Sequence, residues 1–352
     1  MLTATSLQRQ LLKWFDQYGR KNLPWQANKT PYRVWVAEIM LQQTQVATVI
    51  PYYLRFMTTF PTLQHLANAP LDTVLHLWTG LGYYSRAKNL HRTANMIMQE
   101  YNGHFPDHLE QLTTLPGIGT STAGAILACA FNRKATILDG NVKRVLTRLY
   151  GIENPINDKK TQTQLWEIAK QLTPTKRIAD YTQAMMDLGA TVCTRRKPTC
   201  KACPLHKNCI ANKNDLTLQI PYKTREKPKP IKQTGFLILQ YKQEILLERR
   251  VMKGVWQGLW SFPETKVPIT LSKLKKALQA EFNNIAIYTT HMLPTFRRTF
   301  SHYHLDITPI HLTITKRSNK KIAKEQQIWY SLQSETSIGL PKPVKQLLDQ
   351  LL

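Results

Sequence analysis

The chain predicts two domains of different class, an all-α domain followed by an α+β domain, and three observations predict it. Residues 1–213 carry helical apolar periods broken by Pro61, Pro70, Pro106, Pro116, Pro174 and Pro198, with no sustained apolar/polar alternation between turn pairs. Residues 214–233 turn polar and rich in Pro and Lys, a composition that favours an extended linker over packing. Residues 234–352 open on Gly235–Gln240 and Glu244–Glu248, apolar runs that read as paired strands around a Tyr241–Gln243 turn. A helix over Leu271–Phe282 and strands over Tyr303–Ile314 and Gln327–Tyr330 complete the expected second domain.

The formal charge is +26, divided as +14 over residues 1–213, +3 over the linker and +9 beyond it. An excess spread over both domains fits a polyanion lying along both, and nucleic acid over a small acidic substrate. No run of eighteen apolar residues and no basic-then-apolar leader is found, which excludes a spanning helix and reads as a soluble, intracellular, cytoplasmic protein. No heptad or large apolar face stands out, so a monomer is expected.

The first domain is organised on Leu115–Asn141. Leu115-Pro116-Gly117-Ile118-Gly119 is a turn whose Gly117 and Gly119 free backbone N–H groups, with Thr120-Ser121-Thr122 available to cap the next helix and its positive dipole end nearby. Such a turn suits a phosphate backbone; it also fits a plain interhelical turn. Asp139 follows Ile137-Leu138, and Asp139 or Asn141 can cap the basic helix beginning Val142-Lys143-Arg144. Upstream, Pro31–Thr44 reads as a helix whose apolar stretch is interrupted by one acid, Glu38. Its helical neighbours include Val34, Trp35 and Leu41, a setting that raises a carboxyl pKa, although a surface glutamate on an amphipathic helix fits the same window. Two carboxyls in different environments, one protonated and one ionised, are what cleavage of a glycosidic bond needs.

Cys193, Cys200, Cys203 and Cys209 form a C-x6-C-x2-C-x5-C pattern. Four thiolates hold zinc or a 4Fe-4S cluster. With one C-x2-C knuckle and a compact span, the spacing favours the iron–sulfur cluster, and Arg195, Arg196, Lys197, Lys201 and Lys207 make its loop a basic knob for phosphates.

These residues together resemble the helix-hairpin-helix DNA glycosylases with an iron–sulfur loop, most closely their adenine-specific branch with a C-terminal Nudix-like domain. The likeness rests on Ala37–Thr44, Gly80-Leu81-Gly82-Tyr83-Tyr84, the hairpin Leu115–Gly119, Asp139-Gly140-Asn141 and the cysteine loop, and covers nearly the whole chain. It implies a base-flipping repair enzyme acting on double-stranded DNA that contains adenine opposite 8-oxoguanine or guanine. By resemblance Glu38 protonates the adenine, at N7, and Asp139 stabilises the positive sugar, with a transient covalent bond also open to it. Asn141 and Ser121 stand beside these acids in the motif. Ser121 occupies the place of the Schiff-base lysine of endonuclease III-like relatives, which implies a monofunctional glycosylase. Lys143 is then a DNA contact and the incidental amine for any weak strand cleavage.

By the same resemblance Trp25, Gln26 and Gln183 match the adenine pocket, and Gln43, Thr44, Leu81 and Tyr83 match residues that fill the gap left by the flipped base or wedge beside 8-oxoguanine. The second domain resembles a Nudix domain without its metal-binding box, since Leu274–Phe282 offers one acid among lysines. Phe300, Ser301 and His302 match the loop that senses 8-oxoguanine.

Overall fold

The computed structural model describes residues 3–222, 224, 228–270, 272–274, 276, 278, 286–316, 326–333 and 336–351. They fall into two compact units, Met1–Ala69 with Lys88–Arg225, and Pro70–Ala87 with Glu226–Leu352.

The first unit is helical. Helix α1 (Ala4–Tyr18) is capped by Thr3 and buries Leu7, Leu11, Trp14 and Phe15 on one stripe. Helix α2 (Pro31–Leu41) begins at Thr30, whose hydroxyl accepts from the Arg33 N–H, with Pro31 in its first turn. It is followed by α3 (Val46–Thr59) and α4 (Leu63–Asn68); α5 (Leu71–Leu77) belongs to the second unit. Then come α6 (Ser85–Glu100), α7 (Leu109–Thr114), α8 (Thr120–Phe131), α9 (Gly140–Tyr150), α10 (Lys159–Leu172), α11 (Ile178–Asp187) and the short α12 (Ile210–Lys213). Side chains of α1, α8, α9, α10 and α11 share one core, including Leu11, Ala125, Leu146, Leu165 and Ala184. Burying each of these leucines contributes about 1.5–3 kcal/mol.

Two glycines set the geometry on which the site depends. Gly117, between α7 and α8, has φ +82°, and a Cβ there would stand 3.0 Å from the Asn89 Cβ, so both conformation and space demand glycine. Gly124 lets the extended segment before α9 lie directly on α8: a Cβ would meet the Thr136 carbonyl oxygen at 2.2 Å. That segment delivers Asp139 as the N-cap of α9, where its carboxylate accepts from the Val142 N–H at 2.8 Å.

The second unit is built on a mixed sheet. Strands β1 (Ile231–Tyr241) and β2 (Glu244–Arg249) form the expected hairpin. With β3 (Trp260–Ser261), β4 (Glu264–Thr265), β5 (Ala286–Met292), β6 (Phe296–Thr299), β7 (His304–Lys316) and β8 (Gln327–Ser331), the main order is β3-β2-β1-β7-β5. The central β1 runs parallel to β7, a pairing that a sequence reading in hairpins does not anticipate. Period-two alternation sends Phe236 and Ile238 to one face, against Val344 and Leu347 of α13 (Lys342–Asp349), and Leu237 and Leu239 to the other, against Leu274 and Leu278. Of the expected helix over Leu271–Phe282, residues 272–274, 276 and 278 are helical; the rest, Glu281 included, lies outside the described residues.

The segment Pro70–Ala87 is tied into this unit. The Tyr84 hydroxyl donates to the Leu340 carbonyl at 2.9 Å, and the Arg249 guanidinium pairs with Asp72 at 3.1 Å.

Candidate active site

Glu38 and Asp139 line one cavity of about 510 Å³ in the first unit, together with Trp25, Ser121, Asn141 and Gln183. The two acids stand in different surroundings. Val34, Trp35, Ala37 and Leu41 flank Glu38 on α2, and the first three are buried. Glu38 has no hydrogen-bond partner among the described residues, and burial, with the nearby Asp139 charge adding to it, pushes its carboxyl up to about 7.

Burial also raises Asp139, but donors oppose it. The Val142 N–H bonds one oxygen at 2.8 Å, the Asn141 amide bonds the other at 3.2 Å, and Arg144 adds favourable charge at a helix N-terminus. Among the described residues Asp139 accepts hydrogen bonds from helix-end donors and Glu38 accepts none, an arrangement that favours the anion on Asp139 over Glu38. Arg144 in turn donates to the Asn141 Oδ1 at 2.8 Å, to the Gly189 carbonyl at 2.5 Å and to the Cys193 carbonyl at 2.7 Å, which fixes the amide that reaches Asp139.

The hydroxyls at the start of α8 do not cap it. Its N-cap is Gly119, without a side-chain bond. Ser121, the second residue of the helix, lines the cavity and accepts from the Leu138 N–H at 3.0 Å, holding the backbone just before Asp139. A hydroxyl after a glycine turn reads as a cap in sequence, and only the close passage over Gly124 offers it this other partner.

Other expected residues divide. Trp25 is buried against Tyr53, ring centroids 5.4 Å apart, and lines the cavity, as do Gln43 and Thr44. Gln26 does not line it; its Oε1 accepts from the Leu23 N–H at 3.1 Å and closes its own turn. Lys143, Gly117 and Gly119 lie outside the lining, and burial pushes the Lys143 ammonium down against the pull of Asp139. Leu81 and Tyr83 belong to the second unit, where Leu81 is buried and Tyr83 is 52% exposed. There too, Ser301 and His302 form the exposed turn between β6 and β7, joined by a 3.1 Å hydrogen bond, while Phe300 packs on Trp256 at 5.2 Å between centroids. Arg20, Gln42 and Met186 line it as well.

Cys193, Cys200, Cys203 and Cys209 share a small cavity of about 30 Å³ with Arg148 and His206. Among the described residues no three His, Cys, Asp or Glu are grouped tightly enough for a single ion. The donors present suit thiolates: the Leu205 N–H is aimed at Cys203, the Ala211 and Asn212 N–H groups at Cys209, and the Arg148 guanidinium lies 3.4 Å from the Cys193 sulfur. Burial otherwise pushes the Cys203 thiol up to about 12, so thiolates here need a cationic partner.

An adenine DNA glycosylase of Buchnera aphidicola from Acyrthosiphon pisum is 41% identical over 339 residues, covering 96% of this chain and 95% of its own length. The chain belongs to the adenine DNA glycosylase family. The human adenine DNA glycosylase is 36% identical, covering 86% of this chain and 66% of its own. Residues 36–171 match the model of the HhH-GPD superfamily of base excision DNA repair proteins, a span that holds both cavity acids, and residues 234–350 match the NUDIX domain. Among solved structures, a thermostable thymine-DNA glycosylase is similar with a TM-score of 0.55 at 27% identity, covering 60% of this chain and 97% of that one. Endonuclease III in a non-covalent DNA complex is similar with a TM-score of 0.52 at 25% identity, covering 61% and 99%. The chain is therefore a DNA glycosylase with a helical HhH-GPD domain followed by a Nudix-like one, and none of its described helices is long and apolar enough to cross a membrane.

Proposed function

We propose that this glycosylase removes adenine mispaired with 8-oxoguanine or guanine from duplex DNA, with the flipped base in the Glu38–Asp139 cavity. One observation carries the reading: two largely desolvated acids on one cavity, the unpartnered one raised to about 7 and the other held by helix-end donors. Glu38 donates its proton to the base nitrogen N7, which makes adenine a neutral leaving group. Asp139 faces the positive charge that develops on the sugar. Water then completes hydrolysis. Ser121 offers a hydroxyl, which forms no imine, so the reaction stops at the abasic site.

Trp25 stacks on the base and Gln183 reads its edge. The exposed Ser301-His302 turn senses the opposite base in the way the family resemblance suggests, and the protein works as a monomer on cytoplasmic, nucleoid-associated DNA. Cys193, Cys200, Cys203 and Cys209 hold a 4Fe-4S cluster, which when bound ties the basic loop 193–209 into one rigid piece facing the phosphates. The test is single-turnover base release from duplexes carrying adenine opposite 8-oxoguanine, guanine or thymine. Release from the first two and not from the third is expected; release of a pyrimidine, or of adenine from all three alike, overturns the reading.

A further inference from the structure

The stretch that reads as a linker in the sequence ends by packing on the Ser301-His302 turn of its own unit. The Pro230 carbonyl accepts from the His304 N–H at 2.9 Å, where β1 joins β7, and the Lys232 ammonium stands 4.6 Å from the Tyr303 ring centroid. Lys229 meets the turn itself. Its Nζ donates to the Phe300 carbonyl at 2.9 Å in a half-buried setting, and among the described residues it pairs with no carboxylate. The Phe300 N–H donates to the Tyr303 carbonyl at 2.9 Å, and a plain two-residue hairpin would add the reciprocal bond, from the Tyr303 N–H to the Phe300 carbonyl. Here that carbonyl is given to the lysine instead.

We propose that Lys229 is a positioning residue that holds the Ser301-His302 turn in the conformation that discriminates the base opposite the excised adenine. Among the described residues the Ser301 and His302 side chains hydrogen-bond only to each other, at 3.1 Å, so the backbone at the foot of the turn sets their direction. That foot is Phe300, and it is fixed twice. Its ring packs on Trp256, 5.2 Å between centroids, which sets where it stands. A ring contact alone leaves the following peptide plane free to rotate, and that plane aims Ser301. A charged donor on the Phe300 carbonyl removes the rotation. Hydrogen bonds to a base edge weaken steeply when misaligned, so a turn that could swing would meet 8-oxoguanine and guanine nearly alike.

This inference rests on the proposed reading of Ser301-His302 as the turn that senses the opposite base. The test is adenine release by the full-length protein from duplexes carrying 8-oxoguanine and guanine in competition, for Lys229→Met, Lys229→Arg, Ser301→Ala and the double variant Lys229→Met/Ser301→Ala. Methionine keeps the stem and removes the donor; arginine keeps a charged donor. Lys229→Met is expected to lower the preference for 8-oxoguanine about ten-fold, as Ser301→Ala does, and Lys229→Arg to keep most of it. The double variant should lose no more than Ser301→Ala alone, the signature of residues acting as one unit. Loss of one positive charge weakens binding to both duplexes alike and cancels in the ratio. Lys229→Ala should give the same fall, so the result does not hang on how one variant folds. An unchanged preference in Lys229→Met, an arginine variant no better than the methionine one, or losses that add in the double variant overturns the inference. Preference lost in Ser301→Ala but kept in Lys229→Met overturns this inference alone; preference kept in Ser301→Ala overturns the sensing role of the turn and this inference with it.

Discussion

The cavity of the helical unit and the Ser301-His302 turn of the second unit are built on opposite terms. In the first, carboxylates are taken out of water and each donor is assigned, as with Val142 and Asn141 on Asp139. In the second, polar side chains are left in solvent, joined to each other by one 3.1 Å bond and anchored below by Phe300 on Trp256. The contrast teaches where each kind of work can be done. Moving a proton to a base needs a group whose pKa has been shifted by desolvation, whereas reading a base edge in a duplex needs groups that can reach it from outside the fold.

The largest effects should come from the buried side. Glu38→Gln removes the transferable proton and Asp139→Asn removes the anion, and each should lower single-turnover excision about 10²–10⁴-fold while duplex binding stays close to wild type. Asn is as good a helix cap as Asp, so Asp139→Asn keeps α9 started and separates chemistry from capping. The pH profile gives the sign independently. With Glu38 raised to about 7 and required in its protonated form, the wild-type rate should hold below neutrality and fall about ten-fold per unit above it. Residual activity in Glu38→Gln should lack that alkaline limb; a wild-type rate flat from pH 6 to 9 would break the assignment.

Much of this was legible in the sequence, for definite reasons. Helix boundaries were marked by Pro, the two-domain division by a change of period, and Glu38 by being the one acid in an apolar helix. Asp187 carries no such mark, since α11 also holds Asp180, and its pairing with Arg20 far away in the chain becomes visible only when both are placed. The grouping of Pro70–Ala87 with the second unit was not legible, because it is made by partners far apart in the chain, Tyr84 with the Leu340 carbonyl and Asp72 with Arg249. Ser121 was found as a position, but its partner, the Leu138 N–H, was not.

On the exposed side the effect should be smaller and selective. Ser301→Ala removes no core contact, so its stability should be unchanged within about 0.5 kcal/mol, whereas His302→Ala also gives up the edge contact of its ring with the buried Tyr303, 4.7 Å between centroids. Adenine release opposite guanine should also be kept, while the advantage of 8-oxoguanine over guanine falls about ten-fold, the worth of one base-edge contact. Competition between the two duplexes measures this directly, and an unchanged ratio would remove the sensing role from this turn.

The smallest expected effect sharpens the boundary of the cavity itself. Gln26 neighbours Trp25 in sequence and resembles a base-reading glutamine, yet its carbonyl oxygen is spent on the Leu23 N–H at 3.1 Å and its side chain does not line the cavity. Gln183, by contrast, lines that space. Gln26→Ala should therefore cost about 1 kcal/mol of stability for a lost turn bond, read as a lower denaturation midpoint, with the rate of adenine excision within about two-fold of wild type. Gln183→Ala gives up a bond to the buried Asp187, so its midpoint should fall too, and what sets it apart is a lost preference for adenine. If Gln26→Ala instead matched Gln183→Ala in base preference, the reading edge of the pocket would extend past Trp25, and the burial of a group among its own backbone donors would no longer separate bystander from reader.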